Sequence, residues 1–202
     1  MKQNKPEILL AIETAIGGGS YGIFDENGEI DSMCNQSRRS KAEDLLSDIS
    51  SLLKRNGINK NEIKKIIFSN GPGSQTGIRI GAATAKGLAS ALNCLSFEIS
   101  ILNALVFKAK RKGTIQTAVQ ISKNDVCRQV FEFTDSAKAL VESEVVKFDQ
   151  FIDEIKIDSN ISETIFLSGW LDEHEQIREN YELQCLDTTE NIARLLYLAF
   201  GK

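Results

Sequence analysis

The residues best placed for chemistry lie in the run Asn70-Gly71-Pro72-Gly73-Ser74-Gln75-Thr76-Gly77-Ile78-Arg79-Ile80-Gly81. Gly71 and Gly73 permit backbone angles that other residues resist, and Pro72 fixes the turn between them. Ser74 and Thr76 are both suited to cap a helix start. Exposed N–H groups at such a start favour an anion, so Gly71, Gly73, Ser74 and Thr76 form a candidate phosphate-type loop. Neither common nucleotide motif is met. No Gly-Lys-Ser/Thr follows, and the run comes after several strands rather than the first. A sharp turn with a capped helix and no ligand is an equal reading of these residue types. The second candidate is Glu13, an acid closing the apolar run Ile8-Leu9-Leu10-Ala11-Ile12 and followed by Thr14. An acid at a strand end either faces a metal-bound phosphate or accepts hydrogen bonds as a structural carboxylate. The structural role is the favoured one.

Other chemistries are excluded by what the chain carries. Its single histidine, His174, sits in the charged stretch Asp172-Glu173-His174-Glu175-Gln176 and reads as a surface residue. One histidine cannot supply a histidine-pair metal site, and it gives little support to a hydrolase triad. The four cysteines, Cys34, Cys94, Cys127 and Cys185, are far apart with no CxxC pair, so they read as reduced thiols and not as zinc ligands or disulfides. No catalytic residue and no metal ligand is assigned. The net charge of −4 over 202 residues offers no basic field for nucleic acid. There is no apolar run of about 18 residues and no signal-peptide pattern, which points to the cytoplasm and away from a membrane.

The elements that must position these residues are legible in outline. The run ending at Glu13 reads as a central strand buried on both faces. A second strand covers 20–24, Asn27-Gly28 supplies a hairpin turn, and a third strand covers 29–35. An amphipathic helix is expected over 40–56, with Leu45, Leu46, Ile49, Leu52 and Leu53 on one stripe and Gly57 as its C-cap. The Asn59–Glu62 spacing signals a short capped helix. A buried strand over 66–68 then feeds the glycine loop. On the following helix, Gly77, Gly81, Ala85 and Leu88 share one face, which suits either tight packing on the sheet or a partner helix lying across it. A strand over 94–98 and a helix over 100–110 follow, and the basic stretch Lys108–Lys112 marks a boundary. Beyond it, strands are expected over 114–122, 125–133 and 139–148, a helix over 149–157, and strands over 163–168 and 181–186. Asp187-Thr188-Thr189-Glu190 reads as a capping box opening a last helix with Ile192, Leu195, Leu196, Ala199 and Phe200 on one stripe.

The segment Gly71-Pro72-Gly73-Ser74-Gln75-Thr76-Gly77-Ile78-Arg79-Ile80-Gly81, with Ala83-Thr84-Ala85-Lys86-Gly87-Leu88-Ala89 after it, resembles the signature of the TsaB (YeaZ) family, GPGSFTGxRIGxxTAxGLA. Gln75 stands where that family carries an aromatic residue, and Glu13-Thr14 stands where it carries Asp-Thr. The Asp-Ala-Arg motif usual after the first strand of its second half is replaced by Gln120-Ile121-Ser122-Lys123. The resemblance is strong over residues 7–100. TsaB proteins are non-catalytic relatives of TsaD, the enzyme that installs threonylcarbamoyl on an adenosine of tRNA.

The resemblance implies an α/β, actin-like and ribonuclease H-like fold of the ASKHA superfamily. It has two subdomains, 1–108 and 109–202, each a mixed sheet flanked by helices, with the last helix, 188–200, packing back toward the first. It implies a scaffold subunit for tRNA N6-threonylcarbamoyladenosine synthesis. That subunit would bind TsaD and help the ATPase TsaE engage; whether the chain alone forms a homodimer stays open at this point. The partner interface it points to uses Leu45, Leu46, Ile49, Leu53, Gly77, Gly81, Ala85 and Leu88. No direct contact with nucleic acid is expected. No cofactor is demanded by these residues; a nucleotide, ATP or ADP, is the one to look for, at the partner interface. The alternative is an actin-like ATP-binding protein or phosphotransferase that uses Glu13 and the glycine loop. A peptidase lacks a nucleophile–base pair.

Overall fold

A computed structural model describes residues 7–35, 42–155, 160–169 and 183–201. His174, Trp170, Tyr181, the leader before Glu7, Ser40 and Lys41 at the expected start of the long helix, and 156–157 at the expected end of the helix over 149–157 lie outside the described residues.

Two mixed sheets carry one pattern twice. In the first, β1 (Ile8–Glu13) pairs antiparallel with β2 (Ser20–Asp25), and β2 with β3 (Gly28–Cys34). On its other side β1 runs parallel to β4 (Ile63–Ser69), which runs parallel to β5 (Leu95–Ile99). The order is β3-β2-β1-β4-β5. In the second, β6 (Gly113–Gln120) pairs antiparallel with β7 (Asp125–Phe133). Two short strands, β8 (Ala137–Ala139) and β9 (Glu144–Lys147), continue from β7. β6 also runs parallel to β10 (Glu163–Leu167), and β10 to β11 (Leu183–Leu186). The strand expected over 139–148 is thus two pieces. They are separated where Leu140 N–H bonds the Val130 carbonyl and the Gln129 amide bonds the Val141 carbonyl, which bends the chain out of the ladder.

Helices α1 (Ala42–Arg55) and α2 (Gln75–Leu92) cover one face of the first sheet. Leu45, Ile49, Leu52, Leu53, Ala85 and Ala89 pack there on Ile8, Leu10, Ile12, Ile63, Ile66 and Phe68. This is why β1 reads as a continuous apolar run: Leu9 and Ala11 face the other way, into a second core. That larger core joins the two halves. It holds Ile67 of the first sheet and Ile115, Val119 and Ile165 of the second. Between them lie α3 (Ile101–Leu105) and a last helix, Ile192–Phe200. The helix expected over 100–110 is only α3 followed by a 3-10 turn, Val106–Lys108. α4 (Phe148–Ile155) covers part of the second sheet's outer face through Phe151.

The last helix, α5 (Ile192–Phe200), lies on the first sheet. Ala193 N–H bonds Ser20 Oγ at 2.9 Å, and Tyr197 stacks on Phe24 with ring centroids 4.2 Å apart while its hydroxyl donates to the Asp25 carbonyl. Its cap is Asn191, whose side chain accepts from Arg194 N–H, and not the expected Asp187 box. Asp187 is taken up by its own turn, accepting from Thr189 N–H at 2.7 Å.

Candidate functional site

The glycine loop is built against the turn that follows β1. Gly71 (φ 95°) and Gly73 (φ 153°) both adopt the left-handed region that favours glycine. Gly73 lies so close to the turn that a Cβ there would sit 2.6 Å from the Ala15 carbonyl oxygen. The next residue fastens the contact, Ser74 N–H donating to that carbonyl at 2.9 Å. Ser74 is the N-cap of α2, its Oγ accepting from Gly77 N–H at 3.2 Å. Thr76 is inside the first turn and exposed, so of the two expected caps only Ser74 serves.

The stripe of small residues on α2 lets the helix come down onto the same turn. Thr14 Oγ1 donates to the Gly77 carbonyl at 2.8 Å. A Cβ on Gly77 would stand 2.0 Å from the Thr14 carbonyl oxygen, and one on Gly81 would stand 2.3 Å from Thr14 Oγ1. Ala85 is fully buried in the same contact layer. Of the eight residues expected at a partner interface, Leu45, Ile49, Leu53, Gly77, Gly81 and Ala85 therefore face the chain's own interior. Leu88 is half-buried, and Leu46 is 55% exposed. The outward side of α2 is formed by Gln75, Arg79, Ala83, Lys86 and Gly87.

Glu13 is 1% exposed, and its carboxylate turns onto its own chain. Oε1 accepts from Ala15 N–H, from Ile16 N–H at 2.9 Å, and from Ser69 Oγ at 3.5 Å. Burial pushes the Glu13 carboxyl up to about 7, against the opposing pull of the Ala15, Ile16 and Ser69 bonds. The second sheet closes in a similar way. Gln120 ends β6 and accepts from Ser168 Oγ, just beyond β10. Its amide nitrogen donates to the Lys123 carbonyl. Between these strand ends is an open cleft of about 320 Å³, lined by Ile16, Gly17, Gly73, Ser74, Gln120 and Thr188 among others. Gly73 and Ser74 reach this cleft; Glu13, Thr14 and Gly71 lie behind it, buried. Gln120 and Thr188 are not among the site residues expected from the sequence. The signal for Gln120 is its place at the end of a strand, where Glu13 also stands.

All four cysteines are free. Burial raises the thiols of Cys34, Cys94 and Cys127, and at Cys34 the carboxylates of Glu190, Glu13 and Glu29 add to the effect, so these groups stay protonated at neutral pH. Among the described residues no cluster of three or more His, Cys, Asp or Glu is placed to hold a metal, and no helix is long and apolar enough to cross a membrane.

Two sheets built on the same five-strand order, joined through crossing helices and opening on a cleft at the ends of their first strands, define an actin-like, ribonuclease H-like fold. YeaZ from Pseudomonas aeruginosa shares it with a TM-score of 0.76 at 20% identity, the match covering 96% of this chain and 91% of that one. The family model for tRNA N6-adenosine threonylcarbamoyltransferase (TsaD) matches residues 35–168, more than half of the chain. The chain belongs to that family, and within it to the TsaB (YeaZ) branch. The tRNA threonylcarbamoyladenosine biosynthesis protein TsaB of Haemophilus influenzae is 29% identical over 121 residues, covering 58% of this chain and 51% of its own length. That of Buchnera aphidicola subsp. Schizaphis graminum is 33% identical over 106 residues, covering 52% and 50%. The chain spans about half the length of the curated relatives it matches.

Proposed function

We propose that this chain is a non-catalytic subunit in the formation of tRNA N6-threonylcarbamoyladenosine, docking on a TsaD-type enzyme and helping a TsaE-type ATPase engage. The observation that carries this reading is the state of the two strand ends at the cleft. In an actin-like enzyme these positions present acids to a nucleotide's phosphates and metal. Here Glu13 is consumed by the N–H groups of Ala15 and Ile16, and Gln120 carries no charge and is bonded to Ser168. The chain's net charge of −4 leaves the tRNA phosphates to a partner. The reading places the protein in the cytoplasm.

The docking surface follows from which parts of α1 and α2 remain outside. Leu46 and the outward side of α2 around Arg79 and Ala83 are exposed, and they take the place of the buried glycine stripe in the proposal. The test is co-elution on size exclusion with the TsaD-type protein of the same organism. A one-to-one complex is expected. Leu46→Glu with Ala83→Arg should abolish it while leaving the far-UV circular dichroism unchanged. A chain that self-associates and ignores the enzyme would overturn the proposal. A second reading, nucleotide bound in the cleft, is favoured by the cleft's glycine-loop wall. It predicts saturable Mg-ADP or Mg-ATP binding, measured calorimetrically with and without the partner.

A further inference from the structure

The two halves differ most in what covers the outer face of each sheet. In the first, α1 runs for 14 residues and α2 for 18, and the strand residues beneath them are apolar. In the second, α4 has 8 residues. Its Phe151 covers Ala118, Val126, Val146 and Phe166. The next row of the same face passes beyond Ile155. Register places Thr164, Gln116 and Val130 side by side there, on β10, β6 and β7. A cavity of about 570 Å³ stands over this row, its walls including Val141, Ile155 and Ile161.

The floor of the cavity has the wrong chemistry for an accidental gap in a core. Gln116 is 7% exposed and Thr164 is 4% exposed. Neither side chain has a hydrogen-bond partner among the described residues, although both line the cavity. The polar ends of both side chains open onto the cavity, where water or a ligand can reach them, and polar groups so placed are ordinarily satisfied. One wall is fixed by charge. Arg128, whose side chain is 14% exposed, is held between Glu144, at 2.9 Å, and Glu154. Glu142 adds a further carboxylate at the rim. Three carboxylates against one guanidinium repel an anion.

We infer that this cavity is a small-molecule site for an uncharged nucleobase-type heterocycle, with Gln116 reading its edge and Thr164 adding a second polar contact. The primary amide presents a donor and an acceptor side by side, the arrangement that pairs bidentately with an adjacent acceptor and donor on a base. The valine and isoleucine walls suit a flat apolar body. The volume is within the range of ligand pockets, and the acidic rim selects against phosphate. The site is separate from the cleft at the strand ends and stands whether or not a TsaD-type partner docks.

The four ribonucleosides are titrated into the full chain by calorimetry and saturation-transfer NMR, with the matching 5′-monophosphates beside them. At least one nucleoside is expected to bind saturably, and its monophosphate more weakly. Gln116→Met should cut the affinity about tenfold or more, while the ligand-free protein keeps its fold and far-UV circular dichroism. Thr164→Val should act in the same direction, and it serves as the test should Gln116→Met fail to fold. The inference is overturned by no binding up to millimolar nucleoside, by binding that survives both substitutions, or by a monophosphate that binds more tightly than its nucleoside.

Discussion

Glu13→Gln isolates the buried carboxyl behind the cleft. The ordinary value of a glutamate, 4.5, is pushed to about 7 here by burial. Because the folded value is the higher one, the folded state holds the proton more tightly than the unfolded chain. The stability this gives is complete below pH 4.5 and is lost as the pH rises to about 7. A tenfold difference in proton affinity is worth about 1.4 kcal/mol, so the loss over that window is roughly 3 kcal/mol. Glutamine keeps Oε1 to accept from Ala15 and Ile16 N–H and carries no charge to desolvate. Urea unfolding of both proteins from pH 4.5 to 8.5 is the assay. The difference curve, variant minus wild type, should climb by roughly 3 kcal/mol across the window and then flatten. Asp31, held below its ordinary range by the Arg55 side chain, and Glu154, held down by Gln150 and Arg128, lose their contributions as pH falls below the window. They are common to both proteins and cancel in the difference. Parallel curves would refute the reasoning, since they would mean that Glu13 ionises as freely in the fold as in the unfolded chain.

Two further outcomes test the packing. Gly77→Ala, whose Cβ would stand 2.0 Å from the Thr14 carbonyl, should destabilise by about 3 kcal/mol or more in urea melts. Gly87→Ala, on the open side of the same helix with nothing within 4 Å, should stabilise by about 1 kcal/mol; equal effects would show that the stripe is not the contact described. Tyr197→Phe, losing only the 3.1 Å bond to the Asp25 carbonyl, should cost about 1 kcal/mol. Tyr197→Ala, losing the stack on Phe24 as well, should cost about 3 kcal/mol.

What the sequence makes legible here is local. The apolar run before Glu13, the Asn27-Gly28 hairpin, the α1 stripe and the Asn59 capping box each depend on neighbours a few residues away, and each forms where its signal lies. Signals that two mechanisms share are not decided by sequence. Asp187 and Asn191 are both good caps; which one serves depends on Thr189 turning back onto Asp187. Small residues every fourth position fit a partner helix and an intrachain approach alike. The Thr14 carbonyl beneath Gly77 decides for the chain's own turn. Gln116 and Thr164 carry no signal, because a polar residue in a strand reads as solvent-facing until the register puts two of them side by side beyond the end of a short helix.

The glycine loop and the small-residue stripe then have one physical task rather than two. Thr14 bonds the Gly77 carbonyl, Ala15 receives Ser74 N–H, and Glu13 holds the Ala15 and Ile16 N–H groups. Three consecutive residues, the last of β1 and the first two of its turn, thus lock the start of α2 against the sheet. A ligand taking over the Glu13 carboxylate would have to leave the Ala15 and Ile16 N–H groups unpaired in a buried turn, at a cost of about 1–3 kcal/mol for each. On the proposed non-catalytic reading, a locked turn gives up phosphate chemistry at this strand end and gains a rigid seat for α2. Since Gly77, Gly81 and Ala85 are spent on that seat, a partner meeting this helix meets Arg79, Ala83 and Lys86, with the exposed Leu46 of α1 as the proposed apolar anchor. Gly81→Arg would therefore drive a side chain into Thr14 and unseat the helix before it reached any partner, whereas Ala83→Arg changes only what the partner touches.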